Sequence, residues 1–471
     1  MNKQAYEQFL ESKRRIIHAT GIAEEVELHP SLFAFQAAVT HWALRRGRAA
    51  LWLDTGLGKS VCAIEWARCV CAHSEPTGSG RVLILTPLCV AQQFVREGER
   101  IGVSVNLCRE PEDVKPGINV TNYDRLERFV GLPWDGVVLD ESSILKDATS
   151  ATRNALIDGF RDVKFKLACS ATPAPNDHTE IGNHAEFLGV MSRIEMLSMF
   201  FVHDGETTQE WRLKGHARAD FWSWVAGWAL AIRKPSDLGF DDSGYDLPPL
   251  RVVEHVSEAN AVDMAREAGL LFGYEARTLS DLRAARKASL GDRVSAVAKM
   301  VNASAEPWLV WCDMNAESEA LTKLIPDAVE VTGSMPADKK EAAIMSFING
   351  DVRVMVTKPS IAGSGLNLQR CSKMAFAGIS FSWEQFYQAI RRCYRFGQTK
   401  PVEAHIVTSS AELAVLHSIK RKQADADAMA VGMISHMRES MLTALGGTGS
   451  TTLAYLPKKK LVLPPWLRSA S

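Results

Sequence analysis

The 471-residue sequence has little excess charge of either sign: 54 lysines and arginines against 55 aspartates and glutamates leave a net charge of -1. A surface that is basic all over is therefore excluded, and any contact with a polyanion must be confined to one face or cleft. The nine cysteines contain no Cys-x-x-Cys pair. Their nearest approach, Cys69-Val70-Cys71 with His73, falls in an apolar helical pattern that also holds Cys62. That pattern reads as helix core, not as a zinc site, and free thiols suit a reducing compartment. No apolar run reaches membrane-spanning length. The opening MNKQAYEQFLESKRR is polar and charged, unlike a secretory signal. No fixed-period repeat is found, which argues against a solenoid. The expectation is a soluble, cytoplasmic protein with no membrane partner. A hydrophobic content of 46% over this length is enough for two or three cores.

What is present is an alternation of short apolar runs with helical patterns, in two blocks. The first block has strand candidates at Ala50-Leu53, Val82-Leu85, Ile118-Thr121, Val137-Leu139 and Lys166-Cys169. The second has them at Trp308-Trp311, Ala328-Val331, Val352-Val356, Met374-Ala377 and Val402-Val407, with helices over Asn315-Leu324, Asp338-Ile348 and Glu384-Cys393. Such alternation predicts an α/β chain with two parallel sheets wrapped by helices. Between the blocks, 185–290 is rich in tryptophan (Trp211, Trp222, Trp224, Trp228) and reads as helical, followed by the extended crossing KPSDLGFDDSGYDLPPL. The tryptophans read as packing before they read as a base-stacking platform. The predicted division is a helical extension at 1–30, domains at 31–184 and 291–425, the insertion and crossing at 185–290, and a helix with a flexible basic tail at 426–471.

The clearest chemical signal is LWLDTGLGKS, an apolar strand running into the helical pattern VCAIEWARCV. Within Thr55, Gly56, Leu57, Gly58, Lys59 and Ser60, the glycines allow backbone N–H groups to turn toward a phosphate. A helix N-terminus adds partial positive charge. Lys59 is placed to reach the terminal phosphates of a nucleotide and Ser60 to ligate Mg²⁺, although Leu53 stands where the strict Walker A pattern has glycine. Asp140-Glu141 follows the run Val137-Leu139, at the edge of an open sheet where ligands bind. There Asp140 would hold Mg²⁺ and Glu141 would orient the attacking water. Ser170 and Thr172, in SATP, close the next strand and could bridge the acids to a moving neighbour domain. In the second block, the Gly363–Leu368 stretch permits close backbone approach to a phosphate. A helix continued through QAIRRCYRFGQ would align Gln388, Arg392 and Arg395 on one face, with the two guanidinium groups aimed across a cleft at an anion.

Taken as a set, these segments resemble the superfamily 2 helicases. Gln36 precedes the loop as an adenine-reading glutamine does; LDTGLGKS resembles motif I, ILTP at 84–87 motif Ia, and TNYDRL at 121–126 motif Ib. LDES at 139–142 resembles motif II, SATP motif III, GSGLNLQ at 363–369 motif V, and QAIRRCYRFGQTKPV at 388–402 motif VI. The endings GLGK, GxGLNL and RxxRxGQ are similar to those of the Swi/Snf-type DNA-dependent ATPases, and the compact length to their phage and prophage members, which would place the chain in a bacterial host. Two positions depart: motif II reads DESS, and Arg391 stands where the family often has aspartate.

The resemblance implies two RecA-like domains with ATP and Mg²⁺ between them and movement along DNA, duplex more than single-stranded. It implies Gln36, Thr55–Ser60, Gly365 and Gln388 at the nucleotide, Ser60 and Asp140 at the metal, and Lys59, Asp140, Glu141, Arg392 and Arg395 in catalysis. Ser170 and Thr172 would couple the domains. Thr86, Asn122, Tyr123, Arg125, Ser364 and Asn367 are the candidate DNA contacts, with the basic stretch from Arg277 to Lys299. The alternatives are a strand-separating helicase, or a motor or scaffold subunit that recruits a nuclease or replication partner.

Overall fold

The computed structural model describes residues 16–17, 19–87, 90–175, 177–203, 211–257, 286–362, 367–380, 382–446 and 451–452. The strands of the first domain are β1 (Arg48–Leu53), β2 (Arg81–Thr86), β3 (Val105–Leu107), β4 (Gly117–Asn122), β5 (Gly136–Asp140), β6 (Phe165–Cys169) and β7 (Ala229–Ile232). They form one seven-stranded sheet in the order β7-β1-β6-β5-β2-β4-β3. Every pairing in it is parallel. Strands such as VVLD and ALWL are buried along their length because helices cover both faces, which is why they are apolar throughout instead of alternating.

The second domain holds β8 (Leu250–Ser257), β9 (Trp308–Trp311), β10 (Ala328–Val331), β11 (Val354–Thr357), β12 (Lys373–Phe376) and β13 (Val402–Ser409). Their order is β8-β13-β12-β9-β11-β10, again parallel throughout. Side-chain alternation splits its core over the two faces: Leu309 and Trp311 of β9 enter one cluster, Trp308 and Val310 the other. The chain is thus α/β with two tandem parallel-sheet domains of the RecA-like kind.

The region between the blocks is not a helical insertion throughout. It contains a hairpin, Phe201–His203 with Trp211–Leu213, and its Ala229–Ile232 segment is edge strand β7, paired with β1 in the register Ala229↔Ala50. Leu250–Ser257 then opens the second sheet beside β13. The tryptophans 222, 224 and 228 lie in the first core. At the start of the chain, described residues 19–33 contain no helix where a helical extension is predicted. The main-chain N–H groups of Thr20, Gly21 and Ile22 instead donate to the carbonyls of Arg46, Arg45 and Leu44, capping the end of α1 (Ala34–Arg46).

The helices that carry the site are α2 (Lys59–Ser74), after β1, and α3 (Ala91–Arg100), after β2. In the second domain they are α4 (Leu290–Asn302), α5 (Ala337–Asn349) and α6 (Trp383–Ile390). A last helix, α7 (Leu413–Gly446), begins against the second sheet through Val415, Leu416 and Ile419. It ends in the first core with Met433 and Met437. The predicted boundary at 425/426 falls inside it. Among the described residues no helix is long and apolar enough to cross a membrane.

Candidate nucleotide cleft

The strands β1, β6, β5 and β2 are neighbours, so their carboxyl ends bring the glycine loop, the SATP turn, Asp140-Glu141 and Thr86 to one edge of the sheet. The register Asp140↔Cys169 and Leu51↔Cys169 sets the acids one strand away from the loop. Loop residues Gly56 and Gly58 take φ of +95° and +84°, in the left-handed region that a side chain disfavours. Space also demands glycine. A Cβ at Gly58 would lie 2.3 Å from the Gln36 Nε2 atom, and one at Gly56 would lie 2.9 Å from the main-chain nitrogen of Phe396, in the second domain.

Gln36 is buried on α1; its Nε2 donates to the Leu57 carbonyl at 3.0 Å, and its Oε1 accepts from the Phe33 N–H at 3.0 Å. Beside it, rings from three separate segments meet: Phe33 and Tyr245 at 5.8 Å between centroids, Tyr245 and Phe396 at 4.7 Å. Lys59 opens α2 and turns its amine onto the Leu53 carbonyl at 2.9 Å. Ser60 is half-buried next to it, and Thr55 donates its N–H to Asp54.

Asp140 is buried at the end of β5, and its Oδ2 accepts from the Thr86 hydroxyl at 3.2 Å. Burial raises its pKa above the ordinary carboxylate value and Glu141 adds to the rise, while Lys59, Thr86 and Arg392 oppose it. Glu141 is, among the described residues, the single non-glycine with positive φ, at 54°. Such a backbone costs on the order of 1–3 kcal/mol and gathers at functional sites. Its Oε2 is buried and accepts no hydrogen bond among the described residues. Ser170 is turned inward and accepts from the Thr172 N–H at 3.0 Å; Thr172 faces a crevice that Trp383 and Tyr387 of the second domain also line. His184 holds this turn by donating from Nε2 to the Pro173 carbonyl at 2.9 Å.

The second wall is shaped differently from the expected helix. Helix α6 stops at Ile390, so Arg391, Arg392 and Arg395 lie in the turns that follow it, not on a continuous helical face with Gln388. The Gln398 amide captures the carbonyls of Gln369, Cys371 and Cys393, which ties these turns to the Gln369–Cys371 segment. Arg392 is nonetheless brought to the acids. It is buried and donates from Nε to the Gln388 carbonyl at 3.0 Å. Burial lowers its pKa, and Glu141 and then Asp140 oppose that shift. Burial, and next the charge of Arg392, brings Arg395 down to about 10.

Several of the other expected contacts are spent inside the fold. Thr86 is fully buried and spends its hydroxyl on Asp140, so it supports the acid and does not face a duplex. The Tyr123 hydroxyl is likewise taken, donating to the Asp140 carbonyl at 2.7 Å. Asn122 is buried beside it; Arg125 donates to the Arg109 carbonyl at 2.8 Å and Asn367 is exposed. Arg286 and Arg293 of the basic stretch are buried in ion pairs with Asp313, Glu317 and Glu412. Ser364, Gly365, Arg277 and Arg283 lie outside the described residues. Sequence reasoning passed over three residues that link the walls: Asp54 accepts from the Tyr387 hydroxyl and pairs with Arg391 at 2.8 Å. The only local signal was Arg391 itself, standing in an unusual position.

Two parallel-sheet domains thus face one cleft, with a glycine loop on one and paired arginines on the other. The helicase conserved C-terminal domain family matches residues 292–397. The chain is 22% identical over 424 residues to the bovine (Bos taurus) SWI/SNF-related matrix-associated actin-dependent regulator of chromatin subfamily A-like protein 1, over 81% of this chain and 43% of that protein. It is 21% identical over 433 residues to the mouse (Mus musculus) DNA annealing helicase and endonuclease ZRANB3, over 82% of this chain and 39% of that one. Among solved structures, the Sulfolobus solfataricus SWI2/SNF2 ATPase core in complex with dsDNA is similar at a TM-score of 0.41 and 17% identity, covering 90% of this chain and 98% of that one. Residues 292–397 thus carry the likeness to the helicase conserved C-terminal domain, and most of the chain is similar to a SWI/SNF-related protein. It spans under half the length of the curated relatives it matches.

Proposed function

We propose that this chain hydrolyses ATP with Mg²⁺ in the cleft between its domains and uses the cycle of closure and release to move along DNA, duplex in preference to single-stranded. The observation that carries the reading is the placing of buried Arg392, from the second domain, within electrostatic range of Asp140 and Glu141 of the first, beside the direct Arg391–Asp54 ion pair that joins the two walls at 2.8 Å. A buried cation set against two acids from another domain has a use when an anion is bound between them and the domains part afterwards. The residues fit a nucleotide: the loop is left-handed at both glycines, and Glu141 keeps a buried oxygen without a hydrogen-bond partner among the described residues. Ser60 and Asp140 would hold Mg²⁺, which supplies charge neutralisation to the phosphates. Glu141 would orient water, Lys59 would leave the Leu53 carbonyl for a phosphate, and Arg392 and Arg395 would offset charge as it develops. Gln36 and Gln388 would sit at the nucleotide, and Ser170 and Thr172 would relay closure.

DNA would be gripped by its phosphates, since a motor must tolerate any sequence. One relative is named a regulator of chromatin and another a DNA annealing helicase and endonuclease, which supports DNA as the polymer. The mouse relative's name joins a helicase to an endonuclease, which favours a nuclease as a possible partner. The test is ATP turnover by the purified chain with duplex DNA, single-stranded DNA and none. Duplex should stimulate most. Glu141→Gln should bind ATP as well as the parent while turnover falls to background. A Glu141→Gln enzyme that still turned over would remove the water-orienting role, and indifference to DNA would remove the motor.

A further inference from the structure

We propose that Asp54, Arg391 and Tyr387 form a positioning latch across the cleft, which ties the entrance of the glycine loop to the turn that carries Arg392. The inference rests on the ATPase reading above and adds residues that act through others, not on the nucleotide itself.

Asp54 sits between β1 and the loop and is nearly buried. Its main-chain N–H donates to the Ile232 carbonyl at 3.0 Å, which fixes it on the first sheet. Its carboxylate then divides its bonds. Oδ1 accepts from the Thr55 N–H at 2.6 Å, inside the loop, and from the Tyr387 hydroxyl across the cleft. Oδ2 accepts from Arg391 Nη2 at 2.8 Å, also across the cleft. Both oxygens are engaged, and the group has the sign of a phosphate, so Asp54 would not approach the nucleotide. Its influence runs through the N–H of Thr55 at one end and the Arg391 backbone at the other.

Arg391 is oriented from both sides: its guanidinium lies over the Tyr387 ring at 5.2 Å and the Tyr394 ring at 5.3 Å from the centroids. Aromatic faces hold the planar cation and keep water from it. Its side chain is 12% exposed and that of Asp54 10%, so the pair is poorly screened by solvent. Arg392 is the next residue, and its carbonyl accepts from the Leu368 N–H at 3.0 Å. Fixing Arg391 therefore fixes the adjoining peptide of Arg392, whose buried side chain donates to the Gln388 carbonyl within electrostatic range of Asp140 and Glu141. The acid also offsets one of three cations, Arg391, Arg392 and Arg395, crowded into one turn.

The experiment is a double-mutant cycle of Asp54→Asn, Arg391→Gln and both together. Two readouts are taken: kcat and KM for ATP with duplex DNA, and the radius of gyration of the nucleotide-free chain by small-angle scattering. Each single variant should lower kcat by about 30-fold with KM within about threefold, because a charge is left buried without its partner. The scattering radius should rise as the domains part. The double variant, with no orphaned charge, should lose no more than the worse single one. Additive losses, an unchanged kcat, or a rise in KM with kcat intact would overturn the latch. If the parent chain turns over no ATP with any nucleic acid, the ATPase reading fails, and the positioning role with it. The scattering series still reports separately whether the pair holds the cleft shut.

Discussion

Two clusters of arginine and acid in this molecule are built from the same residue types and differ in where their partners lie. In the second domain, Arg293 is fully buried and pairs with Glu317 at 2.6 Å and with Glu412 at 3.4 Å. It also donates to the Ser289 hydroxyl and the Arg286 carbonyl. Glu317 in turn accepts from the main-chain N–H groups of Asp313 and Met314. Every partner belongs to one domain and every charge is satisfied there. In the cleft, Arg391 pairs with Asp54, and Arg392 lies within electrostatic range of Asp140 and Glu141; all three acids come from the other domain. The first cluster can only hold α4 to its sheet. The second can be made and broken by a rigid-body movement, which is what a cycle requires.

Breaking the first cluster should cost stability above all. Arg293→Ala leaves the buried Glu317 without its counter-charge and should remove about 3–5 kcal/mol, read by urea unfolding. Adding Glu317→Gln should restore part of it, because a neutral amide is cheaper to bury. A loss near zero would place Arg293 with the dispensable pairs and erase the distinction. In the cleft the ranking should reverse. Arg392→Ala should unfold at nearly the urea concentration of the parent, and should keep ATP binding. Its DNA-stimulated kcat should fall about 10³-fold, the scale on which transition-state arginines act. Weakened binding with normal turnover at saturating ATP would assign Arg392 to the ground state instead.

Much of this could be read from the amino acids, and what could not has a physical reason. Strands buried on both faces are continuous apolar runs, so their centres were legible while their ends moved by a residue or two: Val352–Val356 as read, Val354–Thr357 as found. Ala229–Ile232 was missed because which sheet a short apolar run joins is set by a distant partner, here Ala50, and not by local pattern. The end of α6 was missed for a similar cause, since apolar spacing carries on to Cys393 while the turns after Ile390 are tied by Gln398 to the distant Gln369 and Cys371 carbonyls. Polar identity alone did not separate Thr86, buried under Asp140, from a surface contact, nor Arg293 from a DNA-facing cation. The loop and the acids were legible because their chemistry needs particular residues at particular strand ends. The Asp54–Arg391 pair spans 337 positions of sequence, and no local pattern encodes it.

A solvent-exposed link between the domains sharpens the comparison from the other side. Arg96 of α3 reaches Glu341 of α5 at 2.8 Å and touches the Met345 sulfur at 3.2 Å. It crosses between the domains as Arg391 does, but the two side chains are 48% and 53% exposed. Solvent screens such a pair, and ordering two long side chains offsets most of its attraction, leaving about 0.2–1 kcal/mol. Glu341→Gln should therefore leave kcat and the scattering radius unchanged at an ionic strength of about 0.15 M, with a small opening appearing only as salt is lowered tenfold or more. Asp54→Asn should open the molecule at both. If Glu341→Gln opened it equally at physiological salt, crossing the cleft alone would set the strength of a pair. If it does not, burial between the aromatic rings of Tyr387 and Tyr394 is what makes the Asp54–Arg391 contact strong enough to report closure.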